Sequence, residues 1–288
     1  MNDKFNGRSG KLGDIWLDLD SYDSAIDSQG YIFKSFRSNL SFEFEMPLTS
    51  HCNLNCQMCT VFSPIARKEF LSMDSFYRDL TRMAELYGSD GVWFRMVGGE
   101  PLLHPQITGM MMLARKLLPN ALISITTNGL LAQKMDDGFY KAAKDKNIVM
   151  LFSPYPPVKT DEQIDFVRAQ GINAFRTVKA FHSRKMPLDP SGKQDGSANF
   201  GRCGYRCNFL VDGRLSRCFY PLTIRHFNRY FRQSLQPAPE DSIDIHSHDP
   251  DEINTFLKKP ISFCRYCKND KPQYSDWKQS QKQITEWI

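Results

Sequence analysis

FEFEMPLTSHCNLNCQMCT, residues 42–60, joins a strand pattern to a loop that holds three cysteines within eight positions. Apolar and polar residues alternate over 42–48, and this alternation predicts a β-strand. Cys52, Cys56 and Cys59 follow that strand at once. With 8 cysteines in 288 residues, random placement produces such a triple at one fixed spacing only about 0.006 times. The spacing therefore indicates a chemical site at the end of the strand.

Strand and helix patterns alternate along the chain after this stretch. Ser72 precedes an apolar face at helical spacing and Gly88 follows it, which predicts a helix whose two ends are both marked. Further strand patterns occupy 92–97, 121–127, 148–153 and 172–178, with helical patterns over 107–118, 137–146 and 161–170. The alternation predicts an α/β fold with a parallel sheet, a partial (β/α)6-type barrel with five clear strands and room for a sixth.

Polar residues of this region cluster where the strands end. The cysteine loop, Gly98-Gly99-Glu100, Asn128-Gly129 and Ser153 all follow strand patterns. Ligands of parallel α/β sheets bind at the carboxyl ends of the strands. We therefore expect these residues to meet at one edge of the sheet and to form the principal site.

The patterns divide the chain into four parts. Residues 1–41 lack clear periodicity and are predicted to be an N-terminal extension that packs on the body. Residues 42–183 are predicted to form the α/β core. Residues 184–202 are rich in Gly, Pro, Ser and charge, which predicts a linker into a small C-terminal module over 203–288.

The C-terminal module carries its own local signals. Asp212-Gly213 predicts a hairpin turn that brings Cys218 into place. The last segment, from Ser275 to Ile288, contains Trp277 and Trp287 and is predicted to be a closing helix that could also line the substrate mouth.

Composition excludes several classes of protein. The apolar fraction of 41% and charged fraction of 24% are those of a globular protein, and a net charge of +5 is too small for a nucleic-acid-binding surface. No apolar run approaches the roughly 18 residues that a membrane-spanning helix needs, and the N-terminus lacks the apolar core of a signal peptide. We expect a cytoplasmic, reducing compartment, where clustered cysteines bind metals or act in catalysis.

Cys52-x3-Cys56-x2-Cys59 after one strand, with Gly98-Gly99-Glu100-Pro101 after the next, resembles the radical S-adenosylmethionine (radical SAM) superfamily over about residues 42–180. The resemblance implies that the three cysteines hold a 4Fe–4S cluster and that SAM chelates its open iron. It also implies that one electron cleaves SAM to methionine and a 5′-deoxyadenosyl radical, which abstracts a hydrogen atom from the substrate. Three thiolates suit this chemistry because they leave one iron open.

The same resemblance implies the contacts to SAM. Gly98 and Gly99 let backbone approach the ligand closely, and Glu100 is expected to accept a hydrogen bond from the SAM ammonium group. Further expected contacts to the SAM carboxylate and ribose are Thr126, Asn128, Ser153 and Arg176, and a surface charge is the equal alternative for Arg176.

Two residues beside the cysteines depart from the expected pattern or compete with it. Met58 stands where the family often has an aromatic residue that frames the adenine of SAM. Its thioether can still contact a ring, and Phe62 is near in sequence. His51 is a less favourable fourth ligand, because the turn beside Cys52 is awkward for coordination.

A second set of cysteines resembles an auxiliary-cluster module. Cys203-x9-Gly213-x4-Cys218 with Cys264-x2-Cys267 resembles twitch, the shortened relative of the SPASM domain, over roughly 200–270. The resemblance implies a second 4Fe–4S cluster bound by Cys203, Cys218, Cys264 and Cys267 and suited to moving electrons. A structural zinc ion in a four-cysteine site is the alternative.

Cys207 is the cysteine that this assignment leaves over. We interpret it as a catalytic thiol that returns a hydrogen atom to the substrate radical. The alternatives are a buried small apolar side chain, or a cluster ligand in place of Cys203.

The cofactors implied are SAM and two 4Fe–4S clusters, and the implied partners are a small-molecule substrate and a reductant such as flavodoxin or ferredoxin. The compact second module resembles that of radical dehydrogenases and epimerases, so we expect dehydrogenation or epimerisation of a carbohydrate- or aminocyclitol-like substrate. A peptide-modifying enzyme is the enzyme alternative. It would need a separate leader-binding partner, because 41 residues before the first strand are too few for such a domain. A zinc or electron-transfer protein is the non-enzyme alternative.

Overall fold

The computed structural model of the chain describes residues 10–12, 15–17, 41–177, 182–203, 207–269 and 273–288. Strands β1 (Gly10–Leu12) and β2 (Ile15–Leu17) form an antiparallel pair. Most of the predicted N-terminal extension lies outside the described residues. The expectation that it packs on the body concerns those residues and stays a prediction.

Five strands that follow one another along the chain form most of the parallel part of the main sheet. They are β3 (Phe42–Pro47), β4 (Val92–Val97), β5 (Leu122–Thr127), β6 (Val149–Phe152) and β7 (Ala174–Arg176). Each pairs in parallel with the next along the chain, from β3 to β7. The predicted α/β fold is confirmed, and the sheet is mostly parallel.

A helix follows each of the first four of these strands. The helices are α1 (Met73–Tyr87), α2 (Ile107–Leu117), α3 (Asp137–Asp145) and α4 (Thr160–Ala169). The ends of α1 lie where Ser72 and Gly88 predict them. The Ser72 side chain accepts a hydrogen bond from the backbone N–H of Ser75, and Gly88 ends the helix with a positive φ of 69°.

Strand alternation divides the sheet into two faces. Phe44, Phe94 and Ile125 lie on the face that packs against the helices and belong to the larger buried core. The opposite face of β3 to β6, called the inner face here, carries Glu43, Glu45, Trp93, Arg95, Ser124 and Thr126 on β3 to β5 and the apolar Val149 and Leu151 on β6. Parallel strands covered on both faces are usually apolar throughout, so the polar inner face points to a function.

The sheet continues on the other side of β3. Strand β9 (Phe209–Val211) pairs in parallel with β3, and β10 (Arg214–Ser216) and β11 (Ile243–Asp244) follow in antiparallel pairing. The strand after β7 is β8 (His182–Lys185), which pairs with β12 (Gln273–Asp276) in a separate sheet. Five strands, rather than six, therefore form the consecutive parallel series among the described residues.

Helices α5 (Gly196–Arg202), α6 (Tyr220–Phe231) and α7 (Pro250–Leu257) complete the regular structure of the C-terminal part. The predicted linker over 184–202 thus ends in a helix. The predicted closing helix over 275–288 is wrong: the segment is extended, apart from a 3-10 turn at Ile284–Glu286. Its backbone pairs with the cysteine loop instead, and that pairing requires extended backbone.

A second, aromatic core joins the cysteine loop to the C-terminal part. The ring of Phe62 lies 5.7 Å from that of Tyr220, 5.6 Å from Phe227 and 6.1 Å from Trp287. The described part of the chain contains no helix with the length and apolar character to cross a membrane.

Candidate active site

The loop that carries Cys52, Cys56 and Cys59 follows β3 at the carboxyl edge of the sheet. The loop after β4 lies beside it. The backbone N–H of Gly99 donates to the carbonyl of Thr49 at 2.7 Å, and that of Glu100 donates to the carbonyl of His51 at 2.8 Å. The pairing of β3 with β4 thus continues beyond the strands and brings the two predicted loops together.

Gly98 and Gly99 are needed for this close approach. A Cβ atom added to Gly98, whose φ is +137°, would lie 2.5 Å from the Thr49 carbonyl oxygen. A Cβ atom added to Gly99 would lie 2.2 Å from the His51 carbonyl oxygen. From the sequence, Gly98 and Gly99 were expected to let a ligand approach the backbone. In the structure, the group that lies close to both glycines is the backbone that leads into the three cysteines.

Replacing Gly99 by alanine is expected to lower the free energy of unfolding by about 2 to 3 kcal/mol, because backbone on both sides must move. Gly109→Ala is the matched control, since its added Cβ would meet only Met73 Cε at 3.9 Å. Within helix α2 the control is expected to be neutral or stabilising, by up to about 1 kcal/mol. Urea denaturation followed by circular dichroism measures both. Equal midpoints for the two variants would contradict this steric account.

Glu100 is fully buried and braces the loops after β4 and β5. Its carboxylate accepts hydrogen bonds from Thr127 Oγ1 at 2.7 Å and from the backbone N–H groups of Asn128 at 2.8 Å and Leu102 at 3.1 Å. Burial raises the pKa of Glu100 to about 7, although these donors oppose the rise. Since a carboxylate has about four acceptor positions, one remains for the SAM ammonium contact, which stays a prediction.

Asn128 and Thr126 lie at the carboxyl end of β5. Asn128 Nδ2 lies 3.7 Å from Cys52 Sγ and donates to Asn53 Oδ1 at 2.8 Å, so its side chain reaches the cysteine loop. Thr126 Oγ1 is buried and has no hydrogen-bond partner in the protein. An orphaned hydroxyl at this edge fits a polar group of a bound ligand.

Ser153 and Arg176, the last two predicted SAM contacts, lie in different surroundings. Ser153 is buried at the end of β6, where its backbone N–H donates to the Thr127 carbonyl at 2.9 Å. Arg176 shares the helix-covered face of the sheet with Ala174 and forms an ion pair with Asp161 at 2.5 Å. The surface-charge alternative for Arg176 is therefore favoured, because its strand parity turns it away from the inner face.

The other residues near the cysteines have defined surroundings. Met58 is half-buried with a positive φ of 55°. Phe62 is fully buried in the aromatic core, which leaves its ring unable to frame an adenine. The ring of His51 meets Phe70 edge-on at 6.5 Å, and burial lowers the pKa of His51.

The three thiols form a donor set that a positive centre would stabilise. Burial raises the pKa of the Cys52 thiol to about 12, and the nearby charges of Cys59, Glu100 and Cys56 also raise it. The backbone N–H of Leu54 donates to Cys52 Sγ at 3.4 Å. A bound metal centre would favour the ionised form of the Cys52 thiol, because a nearby cation opposes this rise in pKa. The thiols and the orphaned Thr126 hydroxyl fit the cluster and SAM that the resemblance implies.

The C-terminal segment 277–288 lies against the cysteine loop, a contact that the sequence analysis did not predict. Trp277 Nε1 donates to Cys56 Sγ at 3.1 Å, and Trp287 Nε1 donates to the Cys59 carbonyl at 3.0 Å. The two tryptophans were the only feature of the sequence that pointed to this contact. Their partners lie 221 and 228 positions away along the chain, so sequence patterns could not identify them.

The inner face is the second feature that the sequence analysis missed. Arg95 forms ion pairs with Glu45 and, at 3.5 Å, with Glu43. Trp93 Nε1 donates to Ser124 Oγ at 2.9 Å. Charged residues at alternate positions of strands in a parallel sheet were the signal that could have identified it.

Four of the remaining cysteines line one cavity. Cys203, Cys218, Cys264 and Cys267 line one partly open cavity together with apolar side chains such as Met186, Phe219 and Ile261. The Asn199 side chain holds the wall by donating to the carbonyl oxygens of Cys264 and Cys267. Burial raises the pKa of the Cys218 and Cys264 thiols. In the described residues, no three His, Cys, Asp or Glu side chains are arranged as ligands of a single metal ion.

Cys207 is absent from the residues that line this cavity. It is buried next to Asn208, whose carbonyl accepts from the Glu45 backbone N–H at 3.0 Å. Burial raises the pKa of the Cys207 thiol, and the Glu45 carboxylate adds to the rise. Cys207 is thus close enough to Glu45 and Arg95 of the inner face, and to Cys218 and Cys203 of the cavity, for their charges to act on its pKa.

Comparisons with known proteins agree with this geometry. Residues 46–152 match the family model of the radical SAM superfamily. The GTP 3′,8-cyclase of Streptomyces coelicolor is 29% identical over 138 residues, 47% of this chain and 40% of that protein. The enzyme of the same name from Acidothermus cellulolyticus is 25% identical over 221 residues, 72% of this chain and 59% of that protein. The matches thus span about half the length of these relatives.

Among solved structures, that of BtrN in complex with AdoMet and 2-DOIA is similar over 80% of this chain and 93% of that chain. Its TM-score is 0.50 at 15% sequence identity, so the likeness concerns the fold. The matched segment, residues 46–152, contains the three-cysteine loop and strands β4 to β6 of the parallel sheet. Over this segment the chain is similar to the radical SAM superfamily.

Proposed function

We propose that this chain is a radical SAM enzyme that abstracts a hydrogen atom from a carbohydrate- or aminocyclitol-like small molecule and completes its dehydrogenation or epimerisation. The observation that carries the proposal is the position of Cys207, which is buried close enough to Glu45 and Arg95 of the inner face, and to Cys203 and Cys218 of the cavity, for their charges to act on it. Cys207 would be the hydrogen donor, and the four cavity cysteines would hold an electron acceptor.

Cys52, Cys56 and Cys59 would hold the first 4Fe–4S cluster. With SAM bound, this centre supplies the one-electron cleavage that produces the 5′-deoxyadenosyl radical. Glu100 holds the loop after β5 through Thr127 and Asn128, and Thr126 offers its orphaned hydroxyl to the cofactor. The protein thereby orients SAM at the carboxyl edge of the sheet.

Cys203, Cys218, Cys264 and Cys267 would hold a second 4Fe–4S cluster. Such a centre would supply an acceptor for the one electron that a substrate radical must lose in a dehydrogenation, and the accompanying proton would leave to a base or to water. The lining of one cavity by four cysteines supports the assignment, because four thiolates are the usual ligands of a 4Fe–4S cluster.

Cys207 would act in an epimerisation. Its S–H bond would break and the hydrogen atom would form a new C–H bond at the substrate radical. The thiyl radical left behind would then take one electron from the external reductant, such as flavodoxin or ferredoxin, and one proton from water. The raised pKa of Cys207 keeps the thiol protonated, which is the form that a hydrogen-atom donor requires.

The inner face supports the substrate class. On strands β3 to β6 its charged side chains are Glu43, Glu45 and Arg95, so carboxylates outnumber the guanidinium. Such a face suits hydroxyl and amino groups and disfavours a polyphosphate. A purine nucleoside triphosphate is nevertheless the second candidate, because two relatives are GTP 3′,8-cyclases.

Anaerobic reconstitution followed by deuterium transfer tests the proposal. The reconstituted protein is expected to hold about eight irons per chain and to cleave SAM when reduced. Deuterated amino sugars and aminocyclitols, but not deuterated GTP, are expected to place deuterium in 5′-deoxyadenosine. Deuterium transfer from GTP would instead make a purine nucleoside triphosphate the substrate. Formation of product only when a precursor peptide is present would support the peptide-modifying alternative. A colourless protein with two zinc ions would overturn the radical mechanism altogether.

A further inference from the structure

The C-terminal segment holds Trp277 in a defined position over Cys56. Backbone hydrogen bonds flank the contact: the N–H of Gln57 donates to the Lys278 carbonyl at 2.8 Å, and the N–H of Ser280 donates to the Asn55 carbonyl at 2.9 Å. Cys56 and Gln279 form an antiparallel bridge between these bonds. The segment therefore pairs with the loop like a short strand, and its backbone fixes where the indole lies.

The contact itself is a short N–H···S hydrogen bond. Trp277 Nε1 lies 3.1 Å from Cys56 Sγ, compared with 3.4 Å for the Leu54 N–H and 3.7 Å for Asn128 Nδ2 at Cys52 Sγ. The indole can only donate, and a neutral thiol is a weak acceptor. A sulfur that carries negative charge accepts such a bond much better. The geometry thus suits a thiolate that is bound to a metal centre.

We propose that Trp277 is a positioning residue that raises the reduction potential of the cluster at the three-cysteine loop through its hydrogen bond to Cys56. The inference rests on the proposed function, since it requires a cluster there. One-electron reduction adds negative charge to the cluster and its sulfurs, so a donor at a sulfur stabilises the reduced state more than the oxidised state. Trp277 would ease electron uptake from a low-potential one-electron donor.

Trp287 provides a useful contrast within the same segment. Its indole N–H donates to the backbone carbonyl of Cys59, and not to a sulfur. Glu286 holds the turn before it by accepting from Ser280 Oγ at 2.6 Å and from the Gln281 N–H at 2.7 Å. The segment is therefore anchored by contacts that do not involve the Trp277 indole, so removal of that N–H is expected to leave the segment in place.

The test compares Trp277→Phe with Lys278→Ala in anaerobically reconstituted full-length protein. Lys278 is exposed and takes part through its backbone carbonyl, so Lys278→Ala is the matched control. The midpoint potential is measured by redox titration of the EPR signal that changes when SAM is added, which identifies the first cluster. We expect unchanged iron content in both variants, a more negative midpoint in Trp277→Phe, and a midpoint equal to wild type in Lys278→Ala.

An iron-loaded Trp277→Phe protein with the wild-type midpoint would overturn the inference and leave Trp277 a purely structural contact. If Trp277→Phe fails to load iron, 3-benzothienylalanine is incorporated at position 277, because it keeps the shape of tryptophan and replaces the N–H by sulfur. A wild-type midpoint in that protein, or its failure to load iron, would equally overturn the inference. Failure of the wild-type protein to form a SAM-responsive cluster would instead reject the proposed function.

Discussion

Cys59→Ala protein, reconstituted without oxygen, is expected to hold about four irons fewer per chain than wild type and to form no 5′-deoxyadenosine above background. With one of the three thiols removed, the first cluster keeps only two protein ligands. The apoprotein is expected to keep its fold, because the loop is held by backbone bonds from Gly99 and Glu100 and by the C-terminal segment.

Iron analysis, circular dichroism and chromatographic detection of 5′-deoxyadenosine measure this effect together. Cys207→Ala is the matched control, since it removes a cysteine that lies outside the three-cysteine loop and is expected to leave SAM cleavage intact. Full iron content and full SAM cleavage in Cys59→Ala would contradict the assignment of the first cluster to this loop.

Cys264→Ala is expected to have the second-largest effect. In contrast to Cys59→Ala, it is expected to lose the second cluster and to keep the first. It removes one thiol from the four-cysteine cavity, so about four irons are lost while the first cluster remains. SAM cleavage then continues without dehydrogenated product, because the substrate radical has no nearby electron acceptor. The uncoupling is measured as the ratio of 5′-deoxyadenosine to product.

Cys207→Ala separates the ligand role from the hydrogen-donor role. Cys207 does not line the cavity, so the variant is expected to keep all of its iron. If the reaction is an epimerisation, it should form 5′-deoxyadenosine but little epimer. Loss of about four irons from Cys207→Ala would make Cys207 a cluster ligand and remove it from catalysis.

Local patterns were sufficient to predict much of the fold. The strand at 92–97 has the predicted bounds, and Ser72 and Gly88 mark the ends of α1 in the structure as they do in the sequence. These features depend on a few neighbouring residues, namely on strand alternation, helix caps and glycine conformation. The meeting of the loops after β3, β4 and β5 then follows from the rule that parallel strands end at one edge.

The direction of side chains was harder to predict. Arg176 follows the same strand signals as its neighbours, yet it lies on the helix-covered face with Asp161. A shift of one position in a strand moves a side chain to the opposite face, and strand ends are the least certain part of a pattern. Glu100 was found as a site residue, but its three hydrogen-bond donors come from two different loops and could not be predicted.

By itself, the sequence determined the α/β class, the three-cysteine loop at the end of the first core strand, and the glycines beside it. The tertiary structure decided which cysteines line the second cavity, that Arg95 meets Glu45 on the inner face, and that Trp277 reaches Cys56. The physical reason is range: strands, caps and turns depend on near neighbours, whereas these contacts join residues up to 221 positions apart and exist only when the chain is folded.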